Sequence, residues 1–517
     1  MDILKKYRIP LFILFGVVLF TLLRLPSLYE PHWYGDEGVY ASVAREMSYG
    51  EVLYEDIWDN KPSMIYWIYM LAGRSTTLFW VRMFSLLAGL ITVIGIYKIS
   101  RKLFNPSIAI VAFFVSILLL ATPQFEGNIA NGENFFLPFV VWGYYLTLIG
   151  NKNRFWFFLA GVLFAFAVLI KVIALVSLGA MGMYLIVTKT KLISKKPQVR
   201  DSMKLLPLSL GFLVILAAYA IRQFMAGTLG STLDSTLLEM FKYVGDESSD
   251  FLGLVFIELS MKMKLLLFIG LNAVLLINYY AKRFSHRTYF IVLIFIFEYF
   301  GTITSSRHYI HYLLQMIPGF ALAAALLVHI LKQQSNLISR LNYFLIFMVI
   351  IYFSLITFSQ GRGMTTNYAA WHYQDRGTYF KLFMYYKTFF DYKITHSISK
   401  LDYDYFYNQE ESKMDQIGLV LQEQFPDISR SSIYLYTDRS WSYPYLGIRV
   451  PTTFCVSYHR YIREGGDATL MSDLYEFKPE LMVVEKSIPT FDPFDEMLDQ
   501  EYMHVYEDDL YLYYLRY

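Results

Sequence analysis

Two acidic side chains stand side by side in the segment Trp33-Tyr34-Gly35-Asp36-Glu37-Gly38-Val39-Tyr40. Either Gly35 or Asp36 can cap a helix that runs to about Ser48. At the helical period Asp36, Tyr40, Val43 and Met47 then share one face. The pair lies near the positive end of that helix's dipole, which favours the ionised carboxylate. An ionised Asp36 can accept a proton from a hydroxyl. A solvated helix cap with no chemistry would show the same pattern.

A cation follows in Glu55-Asp56-Ile57-Trp58-Asp59-Asn60-Lys61-Pro62. Lys61 is a point charge beside an aromatic stretch, where a lipid phosphate at the headgroup boundary would need one. A lysine snorkelling its stem along apolar surface gives the same pattern. Two further polar segments interrupt apolar runs. Gln124-Phe125-Glu126-Gly127-Asn128-Ile129-Ala130-Asn131-Gly132-Glu133-Asn134 carries Glu126 and Glu133 without a basic residue, which suits an acceptor or a metal. Ser305-Ser306-Arg307-His308-Tyr309-Ile310-His311-Tyr312 carries a guanidinium that can grip phosphate oxygens in a fork. His308 and His311 can donate to phosphate, bind a metal or serve only in packing.

These segments are set in a chain of 517 residues that is 56% hydrophobic and 17% charged, well below the quarter or so charged in soluble domains. Long apolar runs such as Leu11 to Leu23, Ile108 to Ala121 and Phe155 to Ile170 approach the roughly 17–25 residues that cross a bilayer. The chain is therefore expected to be a polytopic α-helical membrane protein. Its formal net charge is +2, and no basic tract interleaved with aromatics suggests nucleic acid. The single Cys455 cannot close an intramolecular disulfide. Lys5, Lys6 and Arg8 precede the first apolar run, but Arg24-Leu25-Pro26 follows it instead of a small-residue cleavage site, so the run reads as an uncleaved span.

Basic residues in short loops mark the cytoplasmic side. Spans near residues 9–25, 82–100, 107–122, 133–149, two within 155–188 turning at Lys171, 204–221, 263–280, 288–305, 312–331 and 341–358 give about eleven crossings. This arrangement puts all four polar segments on the outer side. The aromatic stretch 63–80, interrupted by Arg74, reads as a helix at the outer interface. Lys171 and Glu298, in or at the ends of apolar spans, can pair with each other or line the site. From about residue 361 the sequence loses its spanning runs. Ile433 to Tyr436 and Leu481 to Val484 read as short buried strands, and Asp415 to Phe425 as an amphipathic helix. The expected division is a membrane module over 1–360, with interfacial helices in 26–81, and a soluble α/β domain over 361–517.

The Gly35-Asp36-Glu37 pair, the Ala44-Arg45-Glu46-Met47 helix, Asn60-Lys61-Pro62 and Arg307 to Gln315 resemble the GT-C membrane glycosyltransferases. The branches it is similar to are the bacterial relatives of protein O-mannosyltransferases and of lipid A aminoarabinose transferases. The resemblance runs through residues 1–330. It implies a GT-C fold and inverting transfer of a sugar from a polyprenyl-phosphate-linked donor to a hydroxyl of a glycan, lipid or protein. It implies the extracytoplasmic face of the cell (inner) membrane, with the C-terminal domain on that side. Asp36 matches the general base and Glu37 its partner. Lys61 matches the lysine that holds the carrier phosphate. Arg307 and His311 fall where relatives place phosphate-binding or site-lining groups, and Glu133 where several relatives carry an acidic residue after the third span; Tyr40, Glu133 and His308 are the candidate acceptor or site-lining residues. The expected partners are the lipid-linked donor, membrane lipid and a hydroxyl acceptor. No cofactor is required by this reading, and a divalent metal is left open. Lipid A transferases tend to carry an acidic residue where this chain has Asn60, which disfavours their metal site and aminoarabinose transfer. A transporter or flippase for a lipid-linked sugar is the alternative. It would favour inverted repeats and charges at mid-membrane, whereas the acidic groups here cluster in outer segments.

Overall fold

The computed structural model describes residues 2–73, 78–150, 153–188, 204–239, 261–304, 309–333 and 378–517. Its contacts divide the chain into two compact units: Met1–Ser27, Arg82–Arg222 and Val244–Thr366 form one, and Leu28–Val81, Gln223–Tyr243 and Asn367–Tyr517 the other.

The first unit is built of apolar helices. They are α1 (Asp2–Arg24), then α4 (Phe79–Leu103), α5 (Pro106–Ala121), α6 (Gly132–Ile149), α7 (Phe155–Ile170), α8 (Leu175–Val187), α9 (Leu205–Met225), α10 (Met261–Tyr280), α11 (His286–Thr304) and α12 (Ile317–Gln333). The numbers α2 and α3 belong to the second unit. These ten helices coincide with ten of the expected spans, and the span near 341–358 lies outside the described residues. Among the described residues, 6 helices are long and apolar enough to cross a bilayer, with Pro106–Ala121, Phe155–Ile170 and Val172–Val187 as shorter apolar helices. The chain is a multi-pass membrane protein. The ends of these helices follow from their caps. Asn105 accepts from the Ile108 amide at 3.1 Å, with Pro106 next in line, to start α5. Asn131 accepts from the Gly132 amide at 2.6 Å to start α6. Lys171 takes an extended conformation after α7, and the chain resumes as α8 after one 3₁₀ turn. That break is the turn expected within 155–188.

The second unit contains α2 (Gly35–Tyr49) and α3 (Met64–Leu71). At eight residues α3 is about 12 Å long, too short to span. The same unit holds the C-terminal sheet, with β1 (Ile433–Tyr436), β2 (Leu481–Glu485), β3 (Tyr502–Glu507) and β4 (Tyr511–Arg516) in the order β1-β2-β4-β3. β1 and β2 are parallel, joined through the helix Gly466–Phe477; the other pairings are antiparallel. Both sheet strands expected from the sequence are present, and the amphipathic helix appears as Glu410–Gln424.

Residues 26–81 were assigned by sequence to the membrane module, but Leu28–Val81 packs with the C-terminal residues. The cause is visible at Trp58. Its indole is fully buried in a core with Tyr434, Tyr436, Phe454, Leu470 and Met482. Its N–H donates to the Ser235 hydroxyl at 2.9 Å and its backbone amide to the Thr453 carbonyl at 2.9 Å. Burying an indole removes roughly 150–250 Å² from water, about 4–6 kcal/mol of transfer free energy before entropy.

Candidate active site

α2 begins at Gly35 because the Tyr34 carbonyl already accepts the Gly38 amide at 3.3 Å, so Tyr34 is the N-cap and not Gly35 or Asp36. Asp36 and Glu37 consequently occupy the first turn, where the dipole favours a negative charge by about 0.3–1 kcal/mol. Glu37 is fully buried, whereas Asp36 is only half-buried. The helix ends at Gly50, whose φ of 111° is left-handed and suits a residue without Cβ.

The segment after β1 lies directly on this helix start. Ser440 donates to the Gly35 carbonyl at 2.6 Å, the Trp441 indole to the Tyr34 carbonyl at 3.1 Å, and Ser42 to the Ser440 carbonyl at 2.9 Å. A Cβ at Gly38 would stand 2.2 Å from the Ser440 hydroxyl oxygen and 2.8 Å from its carbonyl carbon, so only glycine permits this approach. Farther along α2, Arg45 donates to the carbonyls of Tyr443 at 3.0 Å and Ile448 at 2.6 Å, and buried Glu46 pairs with Arg449. The Ala44 to Met47 stretch that carries the resemblance is therefore an anchor for residues 443–450.

Lys61 is placed by the loop between α2 and α3. Tyr54 holds a left-handed backbone (φ 73°), its amide donates to the Ile57 carbonyl at 2.7 Å, and its hydroxyl donates to the Lys61 carbonyl at 2.6 Å. The Lys61 ammonium donates to the Asn60 side-chain oxygen at 2.7 Å and to Asp59 Oδ1 at 3.3 Å, while 27% of its side chain stays exposed. It lies 6.0 Å from the ring centroid of Tyr40, one turn beyond Asp36 on α2, and Tyr40 packs edge-on against Tyr66 and Tyr69. Tyr40 is buried.

Asp59 and His459 complete this constellation, and the sequence reading assigned a role to neither. Asp59 is buried, and Tyr66 donates to its Oδ2 at 2.8 Å. Burial pushes the Asp59 carboxyl up, but the Lys61 charge, then His459, and the Tyr66 bond outweigh it and hold the group below the usual carboxylate range. His459 Nε2 lies 4.0 Å from Asp59 Oδ1, and its ring meets Trp58 edge-on. Burial lowers the His459 pKa to about 4 against the opposing pull of Asp59, so the ring is neutral at pH 7. Lys61 and Asp36 both act on this same imidazole, the first lowering and the second raising its pKa. Asp36 also acts on Tyr458, whose hydroxyl is driven well above the tyrosine range by burial first and then by Asp36 and Asp59. Asp36, Lys61, Asp59 and His459 are thus one electrostatic neighbourhood. No sequence signal marks His459, because its partner Asp59 lies some four hundred positions away.

The remaining expected residues belong to the first unit. Glu133, in the first turn of α6, is buried and pairs with Lys171 at 2.5 Å. The Lys171 ammonium also lies 4.7 Å from the Tyr312 ring centroid. His311 sits in a 3₁₀ turn, Ile310–Met316, and its Nδ1 meets Glu126 Oε2 at 2.9 Å with both groups buried. Lys171 therefore pairs with Glu133 and not with Glu298, whose Oε2 accepts the Gly319 amide at 2.9 Å. Arg307 and His308 lie outside the described residues. Among the described residues, no group of three or more His, Cys, Asp or Glu side chains is arranged to hold a metal ion.

Residues 60–221 match the family of dolichyl-phosphate-mannose-protein mannosyltransferases, a stretch that takes in Lys61, Glu133 and Lys171. No curated protein matches the chain. The ArnT structure from Cupriavidus metallidurans bound to undecaprenyl phosphate is similar at 15% identity and a TM-score of 0.54, over 98% of this chain and 97% of that one. The apo form of the same protein gives 15% and 0.56, over 99% and 98%. The apo oligosaccharyltransferase of Archaeoglobus fulgidus gives 10% and 0.50, over 94% of this chain and 70% of that one. The matched pattern and the shared fold together bear out the resemblance of this chain to the GT-C membrane glycosyltransferases.

Proposed function

We propose that this chain transfers a sugar, with inversion, from a polyprenyl-phosphate carrier to a hydroxyl acceptor at the extracytoplasmic face of the cell (inner) membrane. The observation that supports this reading is that Lys61 lies 6.0 Å from the ring of Tyr40, one turn beyond Asp36 on α2, while the charges of Asp36 and Lys61 both act on buried His459. Asp36 takes the acceptor's hydroxyl proton as that oxygen bonds to the anomeric carbon from the face opposite the carrier. In the same displacement the carbon–oxygen bond to the carrier breaks, and the departing phosphate takes the electron pair and gains negative charge that Lys61 stabilises. Asp59 and Asn60 hold the Lys61 ammonium in place. Glu37, buried beside the base, orients the turn that presents it. Arg307 is assigned to the carrier phosphate, and Tyr40 and His308 to the acceptor or the lining of the site; His311 and Glu133, first candidates for the phosphate and the acceptor, are closed on Glu126 and Lys171 and act by shaping their surroundings. The soluble part of residues 361–517 lies on the same outer side.

Reconstitution in proteoliposomes with a polyprenyl-phosphate sugar and a panel of hydroxyl acceptors tests this. New glycosidic bonds are expected from the native chain and not from Asp36→Asn. Carrier translocation without bond formation would replace the transferase with a flippase.

A further inference from the structure

A cavity of about 200 Å³ opens in the second unit, lined among others by Trp33, Gly35, Asp438, Arg439, Trp441 and Glu485. β1 runs straight into residues 437–441, and β2 ends on Glu485, so the cavity lies at the carboxyl ends of two parallel neighbours. Ligands of parallel sheets bind at that end, because the loops leaving the strands converge there. We propose that this cavity is a subsite for one neutral sugar ring of the acceptor, a proposal that rests on the transferase reading given above.

Size, surface and charge each point to that ligand. Pockets for drug-sized molecules run to about 300–1,000 Å³, so this smaller space suits a single monosaccharide. Both indole N–H groups are engaged inside the protein, Trp33 with Glu30 at 2.8 Å and Trp441 with the Tyr34 carbonyl at 3.1 Å. The ring of Trp33, partly exposed, remains as apolar surface for the C–H face of a sugar, with buried Trp441 behind it in the cavity wall. The guanidinium of Arg439 is spanned by Glu410 and by Glu485, the latter at 2.9 Å, and its Nε donates to the Tyr511 hydroxyl at 3.1 Å. Its charge is spent on those carboxylates, and Asp438 adds another. A phosphate or carboxylate would meet net repulsion here, whereas sugar hydroxyls meet acceptors.

The cavity belongs to the acceptor and not the donor. Lys61, the cation assigned to the carrier phosphate, is absent from its lining, whereas Gly35, the residue before Asp36, forms part of it. Asp438 Oδ1 accepts the Tyr458 amide at 3.0 Å, and Tyr458 lies within the field of Asp36. A ring seated here would lie against Gly35, the residue that precedes the proposed base in the first turn of α2.

The test is saturation-transfer NMR on the full chain in nanodiscs, with methyl mannoside, methyl glucoside and glucose 6-phosphate as probes. At least one neutral glycoside should show transfer to its ring protons, and glucose 6-phosphate should be at least fivefold weaker. Trp33→Ala, and independently the isosteric Asp438→Asn, should each weaken the glycoside signal at least fivefold at an unchanged melting temperature. Silence from both neutral glycosides, a stronger signal from the phosphate, or full signal in both variants overturns the subsite. If Asp36→Asn proves fully active while the glycoside signal still follows Trp33 and Asp438, the assignment of the base falls and the sugar subsite stands.

Discussion

In the membrane unit, Lys171 meets Glu133 at 2.5 Å and His311 meets Glu126 at 2.9 Å, with Tyr312 packed between the lysine and the histidine. Each of these four side chains has an ionisable partner in direct contact and little exposure. In the other unit, Glu37 and Asp59 are buried while their sequence neighbours Asp36 and Lys61 keep part of their surface open. The difference teaches what separates a charge that holds a fold from one that meets a substrate. In a low-dielectric interior an unmatched charge costs several kcal/mol, so a structural pair closes on itself. A reacting pair must stay reachable, and its orientation then comes from buried groups behind it.

The sharpest way to break this comparison is at Asp36. Asp36→Asn keeps the helix turn but removes the proton acceptor, and transfer should fall about 10²–10⁴-fold with no change in melting temperature. A variant with native turnover would end its role as base. Next in size is the opposite behaviour at Lys171. Lys171→Met leaves Glu133 buried without its partner and should cost about 3–5 kcal/mol of stability. Adding Glu133→Gln should restore most of it in thermal melting, and a double variant no more stable than the single would show that the pair is not the closed unit described.

His459 gives the third measure. Its folded pKa of about 4 lies below the usual 6.5 or so, so the unfolded chain binds the extra proton first. Its neutral form contributes stability that is fully present above about 6.5 and is lost as pH falls toward 4, on the order of 3 kcal/mol in all. Asp59 shifts in the same sense, its contribution present above the ordinary carboxylate pKa and lost only at still lower pH. His459→Asn should flatten the melting profile between pH 6.5 and 4 relative to the native chain. An identical acid profile in the variant would remove His459 from the network. The smallest effect is expected at Lys61. A bond to a charged group is worth about 1.5–3 kcal/mol, so Lys61→Ala should raise the donor KM roughly tenfold or more. An unchanged donor KM would take Lys61 out of the phosphate site.

Much of this arrangement was legible in the sequence where the controlling interactions are local. Asp36 and Glu37 announce themselves because a helix start, its dipole and the pair lie within a few residues. The spans follow from apolar runs and basic loops, and the break at Lys171 from the length of the run around it. Most of the misreadings involve contacts made at long range. The pairing of Lys171 with Glu133 instead of Glu298 depends on where α6 and α7 end in three dimensions. The approach of His459 to Asp59 depends on Trp58 entering a core made by strands near the far end of the chain. The N-cap moved by one residue because the Tyr34 carbonyl, which no pattern of side chains reveals, takes the first amide.

Gly38 has a consequence for how such a chain can change. With no atom beyond its α-carbon, it lets the strand-end loop at Ser440 rest against the backbone of the helix that presents Asp36. One methyl group there would act as a wedge, shifting the carboxylate and the wall of the adjoining cavity in a single movement. Variation in what the protein accepts should therefore arise at the rim of that cavity, while the seam behind it stays closed to insertion of even the smallest side chain.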